Sequence, residues 1–340
     1  MFRRLIAGLV VSALAAFGLL AVTQPAGAGP VAPADGNCGL ACPTGPPTGG
    51  GGPGGKIYAQ TIHVSVSHVG GVSGSPGTGG GSYSVPSPCG YQSWGSNATM
   101  EALVTVIGFF PIVGGLLQLL FPSPAELHAH DGDKTGYWFG ATCKAVPPHN
   151  PPTSADAALL QAEKDWGKIN RPWVFVNPAN PPMPPVSAGI LSAYAYNAAV
   201  NAIPTPTVNI APRGQTLTQA KTLVWLNRGN ISPVSATATA ANSPTVTVRA
   251  DNKGVAFNNL PAGAEADPAC TNGGTPYRPG SSPGNCWIRF VAPSRGVSFT
   301  VSTTWHISVT GGPLTGADTE VRTSAPVTVA VAQSQAVGTR

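Results

Sequence analysis

The densest group of chemistry-bearing residues in this chain is His128-x-His130-Asp131-x-Asp133. Two imidazoles and two carboxylates so close together are donors that could hold zinc or a harder divalent cation. The competing reading is a polar loop leaving an apolar segment, with Asp131-Gly132-Asp133 supplying the turn. No further ligand stands at metal-site spacing, so the metal reading rests on these four residues alone.

Other chemistries find less support. His63, His68, His149 and His306 are potential bases, but most serines lie in linkers or on alternating strand faces, and no spacing marks a nucleophile beside a base. Gly50-Gly-Gly-Pro-Gly-Gly55-Lys56 has the outline of a phosphate-binding loop. Ile57 stands where the magnesium-binding Ser or Thr belongs, Pro53 removes an amide, and the flanks are linker and strand. Glu163 and Asp165 lie two apart on a predicted helix and so diverge, which suits solvated surface better than a glycosidase pair. Trp138, Trp166, Trp173, Trp225, Trp287 and Trp305 could form a sugar-stacking surface, or serve as core. The expectation is no catalytic residue and no cofactor.

These residues must be held by elements that fold after export. Arg3 and Arg4 precede an uncharged apolar run over 5–22, and Ala26-Gly27-Ala28 is a small-x-small cleavage site. That is the layout of a secretory signal peptide over 1–28. All six cysteines (Cys38, Cys42, Cys89, Cys143, Cys270 and Cys286) follow it. An even count in an exported chain reads as disulfides, and sequence neighbourhood favours Cys38–Cys42, Cys89–Cys143 and Cys270–Cys286 while leaving the connectivity open. The 43 glycines and 36 prolines predict much loop and extended backbone, with little helix. The net charge of +5 is spread without a basic run, so nucleic acid is not an expected partner.

Residues 29–55 read as Gly/Pro-rich linker, and the alternation over 56–69 as a strand. Residues 102–121 carry no charge and are long enough to span a bilayer, yet Pro111 and Gly114-Gly115 break them. A buried helical hairpin, an interfacial segment and a true span all fit that pattern. Thr153-Ser154-Ala155-Asp156 opens a helix whose C-terminal cap is expected at Gly167. Residues 173–176 form a short strand, and a second helix runs over 187–203 until Pro204 stops it. Strands are expected at 222–227, 233–240, 244–250, 253–258, 286–291, 296–310 and 319–332, which indicates a β-sandwich. In the 296–310 run Val297, Phe299, Val301, Trp305, Ile307 and Val309 share one face, interrupted by Thr303. Trp305 is then a core anchor, His306 faces water, and so long a strand needs a bend or bulge.

Several landmarks resemble a known group. Thr222-Leu-Val-Trp225-Leu226, the Gly274-Thr-Pro-Tyr277 turn, Cys286-Trp-Ile-Arg-Phe290, Thr304-Trp305 and Val331-x-x-x-Gln335-Ala336 are similar to the C-terminal, PKD-like sandwich of exported proteins common in high-GC Gram-positive bacteria. The spacing Cys89…Tyr137-Trp138…Cys143 is similar to their N-terminal half. The resemblance implies a sandwich, a Cys270–Cys286 bridge and an extracellular location, and no established activity. Where the PKD pattern has Gly-Asp-Gly, this chain runs from Val255-Ala-Phe257 into Asn258-Asn259, so a ligand role tied to that aspartate is not carried over.

The sequence therefore predicts an α+β protein: a signal peptide at 1–28, a linker at 29–55, a disulfide-braced N-terminal module at 56–203 with few helices, and a C-terminal PKD/Ig-like β-sandwich at 204–340. The expected function is a secreted, non-catalytic structural or interaction protein of the cell envelope, whose partners are cell-wall or surface components. The alternatives are an extracellular hydrolase or metal-binding protein with its site in the N-terminal module, and a membrane-associated component using 102–121.

Overall fold

Alternating apolar and hydroxyl-bearing residues build much of the described chain into sheets. The computed structural model describes residues 57–68, 81–108, 121–144, 154–279, 286–313 and 318–333. The signal-peptide and linker segments, Cys38 and Cys42, the Gly50–Lys56 motif and His149 lie outside the described residues.

In chain order the elements begin with β1 (Ile57–Tyr58), β2 (Thr61–His68), β3 (Ser82–Pro86), β4 (Cys89–Ser96), α1 (Asn97–Gly108) and α2 (Pro124–His128). Then come β5 (Tyr137–Cys143), α3 (Ser154–Ile169), β6 (Trp173–Val176), α4 (Ala188–Ala202), β7 (Val208–Ala211), β8 (Gln215–Leu217) and β9 (Lys221–Leu226). The last are β10 (Val234–Thr239), β11 (Val246–Asn258), β12 (Glu265–Ala266), β13 (Trp287–Arg289), β14 (Ser294–Thr310), β15 (Asp318–Thr323) and β16 (Val327–Ala332). The protein is thus mixed α+β and mostly sheet.

Among the described residues three sheets result, in the orders β1-β4-β5-β6, β3-β2-β10-β11-β14-β16-β8 and β12-β13-β9-β7, with β15 also paired to β14. Pairing is antiparallel except between β16 and β8. Strand β2 is built into the largest sheet through β10, Val64 lying opposite Ala238. One sheet therefore draws strands from both sides of residue 204.

The first core lies between the largest sheet and the β1-β4-β5-β6 sheet, filled by α3 and α4. Helix α4 is buried from Gly189 to Ala199, because the sheet covers one side and α3 the other. Small residues make that approach feasible: a Cβ on Gly189 would collide with Ala162 of α3. Ser187 caps α4 as an N-cap, accepting from the Ile190 amide at 3.3 Å. Helix α3 buries Ala155, Leu159, Ala162 and Trp166, one stripe at helical spacing. It runs through Gly167 to Ile169, not ending at the expected cap. Asn170 closes it, its backbone amide and Nδ2 both donating to the Trp166 carbonyl at 3.1 and 2.9 Å.

The second core joins Val224, Leu226 and Ile288 of the β12-β13-β9-β7 sheet to Phe299, Val301, Val329 and Val331 of the largest sheet. Strand β14 serves both cores, Phe299 and Val301 in the second, Trp305 and Ile307 in the first. Trp305 is fully buried, and Thr303, between the two groups, explains the break in the apolar face. Its hydroxyl accepts the Trp305 indole N–H at 3.0 Å, a buried donor that needs a partner. His306 is half-buried on the opposite face.

Two strand expectations change. The stretches 244–250 and 253–258 form the single strand β11, kept in the ladder by a bulge between Asn252 and Gly254. The stretch 319–332 splits into β15 and β16 around Ser324 and Pro326. Buried Ser324 accepts the Val301 amide on its Oγ at 3.0 Å, and the two strands pair successive lengths of β14.

Disulfides join Cys89 to Cys143 and Cys270 to Cys286. The first links residues directly opposite in the β4–β5 ladder, and the second borders the second core. Such bridges form and persist in oxidising, extracellular-type compartments. Among the described residues no helix is long and apolar enough to cross a membrane. The described part of the 102–121 segment is 102–108 of α1 together with Phe121, and Leu103, Val104 and Phe121 pack on Met100, Leu127 and Trp138.

Candidate functional site

The site begins with a buried amide. Asn97 opens α1 and is only 5% exposed, held where α1 meets α2 and β5. Its Oδ1 accepts the Trp138 indole N–H at 2.8 Å, while its Nδ2 donates to the Leu127 carbonyl at 3.1 Å and to Glu101 Oε1 at 2.7 Å. Asn97 and Glu101 stand four apart and so share one helix face. The amide therefore ties α1 to the end of α2 and aims the Glu101 carboxylate at the turn that follows.

Helix α2 is short but well defined at its start. Ser123 and Glu126 form a reciprocal capping box, with Pro124 in the first turn. Bonds with Ser123, the backbone amide first, hold the Glu126 carboxyl below its ordinary range. His128 ends the helix, and the next turn brings Asp131 back, Oδ2 lying 3.0 Å from His128 Nδ1. Donor atoms of Glu101, His128 and Asp131 all lie within 4.8 Å of one another. The hydrogen bond with His128, then one with Glu101, keeps the Asp131 carboxyl below its usual range. Both His128 and Asp131 face solvent, with side chains 74% and 57% exposed.

The four residues expected to act together are therefore divided. His128 and Asp131 converge, but His130 packs on Trp138 and Phe175, its ring centroid 5.5 and 4.1 Å from theirs. Asp133 turns into its own loop, accepting from the Thr135 amide at 2.8 Å, the Thr135 hydroxyl at 2.9 Å and the Gly136 amide at 3.2 Å. Those donors, the Thr135 amide first, lower its pKa. Glu101 takes the third place instead. Its sequence signal was faint: it is the last charge before the uncharged run, four residues after an Asn.

The remaining candidates scatter. His63 and Ser84 form an exposed pair on neighbouring strands, Nδ1 to Oγ 2.7 Å. His68 ends the inner edge of β2, and neither ring nitrogen has a hydrogen-bond partner among the described residues. One Gly-x-Ser-x-Gly match, Gly280-Ser281-Ser282-Pro283-Gly284, falls between β12 and β13, not between a strand and a helix, and lies outside the described residues. Glu163 is half-buried and burial raises its pKa, whereas Asp165 is lowered first by its bond to Lys168. Of the six tryptophans weighed as a stacking surface, Trp138, Trp166 and Trp305 are buried. Trp287 carries Lys221 Nζ 4.5 Å above its ring. Trp94, outside that set, is the most exposed of the described tryptophans and meets Trp173 and Phe121 edge-on.

The outward face of the largest sheet has a different character. Residues opposite one another in the ladders point to the same side, so Ser82, Ser65, Thr237, Thr247 and Thr310 form one rung across five strands. Beside it run Ser84–His63–Thr239 and Ser67–Ser235–Arg249–Ser308. None of these residues is buried. Neighbouring strands are about 4.8 Å apart and alternate residues about 6.8 Å, so the hydroxyls form a regular grid. Arg249 is neutralised by Asp251 at 2.9 Å. Such a surface offers paired donors and acceptors with little net charge. No family model matches the chain, and neither a curated protein nor a solved structure is significantly similar to it.

Proposed function

We propose that this protein is a secreted, non-catalytic component of the cell envelope that holds to a neutral, hydroxyl-rich polymer of the wall. The observation that carries this reading is the hydroxyl grid on the outward face of the largest sheet, whose central rung is Ser82, Ser65, Thr237, Thr247 and Thr310. A flat array of Ser and Thr can exchange hydrogen bonds with sugar hydroxyls without the desolvation of a charged surface. The signal-peptide layout and the bridged cysteines support an extracellular address, and the two sheets around the second core are read as the PKD-like sandwich.

Co-sedimentation of the purified protein with insoluble cell-wall polysaccharide tests the reading. Replacing Thr237 and Thr247 with Val keeps shape and strand preference while removing hydroxyls, and lowers the bound fraction several-fold. Unchanged binding, or no binding by the native chain, overturns it. Cell fractionation tests the address separately: full-length chain in the cytosol with the leader attached and free thiols rules out export.

A further inference from the structure

We propose that Glu101, His128 and Asp131 bind one divalent cation of the zinc class, with water completing its coordination. The three donors come from different places, the middle of α1, the last residue of α2 and the turn beyond it, and still converge within 4.8 Å. Around zinc, nitrogen and oxygen donors at about 2.0–2.2 Å stand roughly 3.3–3.6 Å apart in a tetrahedron. The present donors all lie within 4.8 Å of one another, with His128 Nδ1 and Asp131 Oδ2 at 3.0 Å, so seating an ion replaces that hydrogen bond and takes shifts of about 1 Å, within reach of the exposed His128 and Asp131 side chains.

The third ligand is already fixed. Buried Asn97 holds Glu101 Oε1 at 2.7 Å and is itself held by Trp138, which fixes the carboxylate beside His128 and Asp131. Outer partners of this kind orient metal ligands and set affinity. Two carboxylates against one imidazole leave net negative charge for a cation to neutralise. One nitrogen with two oxygens favours zinc-like ions over calcium, which takes six to eight oxygens. Once bound, the ion staples α1 to the turn after α2.

Isothermal titration of chelator-stripped full-length protein with zinc chloride, and in parallel with calcium chloride, tests the proposal. One zinc binds per chain, calcium binds far more weakly, and Glu101→Gln and His128→Gln each weaken zinc binding by about tenfold or more. His63→Gln, at another exposed imidazole, leaves affinity within about twofold. In NMR spectra of the native protein, zinc shifts the His128 ring signals and spares those of His130, a readout independent of any variant's folding. Absence of zinc binding, calcium binding as tight as zinc, indifference to both substitutions, or a shift at His130 without one at His128 each overturns the site.

Discussion

The two disulfides among the described residues close loops of very different length, which gives a quantitative test of what they do. Cys89 and Cys143 are separated by 54 positions, and Cys270 and Cys286 by 16. Loop-closure entropy in the unfolded chain then gives about 4.2 kcal/mol for the first bridge and about 3.1 kcal/mol for the second at 25 °C. The paired substitutions Cys89→Ala with Cys143→Ala, and Cys270→Ala with Cys286→Ala, isolate each contribution. Alanine is preferred to serine because Cys89, Cys270 and Cys286 are buried, where a hydroxyl would need a partner. Urea unfolding at pH 7, followed by circular dichroism, reads the change in stability. The 89/143 variant loses about 4 kcal/mol and the 270/286 variant about 3. Dithiothreitol lowers the native protein's stability but leaves either variant with only the loss belonging to its remaining bridges. Losses below about 1 kcal/mol, or the larger loss at 270/286, refute the loop-entropy reasoning.

Alkaline stability reports on Tyr194, whose phenol burial pushes up to about 12, with Glu163 and then Tyr83 adding to the shift. A phenol harder to ionise when folded contributes stability fully below about pH 10, its unfolded value, and loses it as pH rises toward about 12. Between pH 9.5 and 11.5 the native chain therefore loses about 2 kcal/mol more than Tyr194→Phe in urea unfolding, and equal losses contradict this. Gly140→Ala tests the aromatic layer: a Cβ there lies 2.8 Å from Trp94 Nε1 and 2.9 Å from Trp173 Cζ3. The variant is less stable by about 1–3 kcal/mol, and tryptophan emission shifts as the rings move apart.

Much of the local structure was legible because its causes lie within a few residues. Ser187 ahead of an Ala-rich segment announced α4, and strict alternation announced β2 and most of β14. Thr303 was visible as an interruption, but its reason, the Trp305 indole N–H, required the side chains in place. Gly167 misled because a glycine marks a helix end only when the chain turns there. Here Asn170 supplies the closing bonds three residues later. The candidate site was half legible: a His and an Asp on one turn can be paired by eye. Glu101 could not be paired with them, because no local pattern links α1 to α2.

The amino-acid order alone located β2, α3, β6, α4 and most of the strands after β8, and it supplied the cysteines for the bridges. These follow from side-chain periodicity, capping chemistry and composition, which act over one or two turns of chain. Tertiary structure decided which strands share a sheet, that β14 spans two cores, and that Glu101 joins His128 and Asp131. Each of those depends on contacts between segments tens of residues apart, chosen by which apolar faces can be buried together and not by any neighbour in sequence.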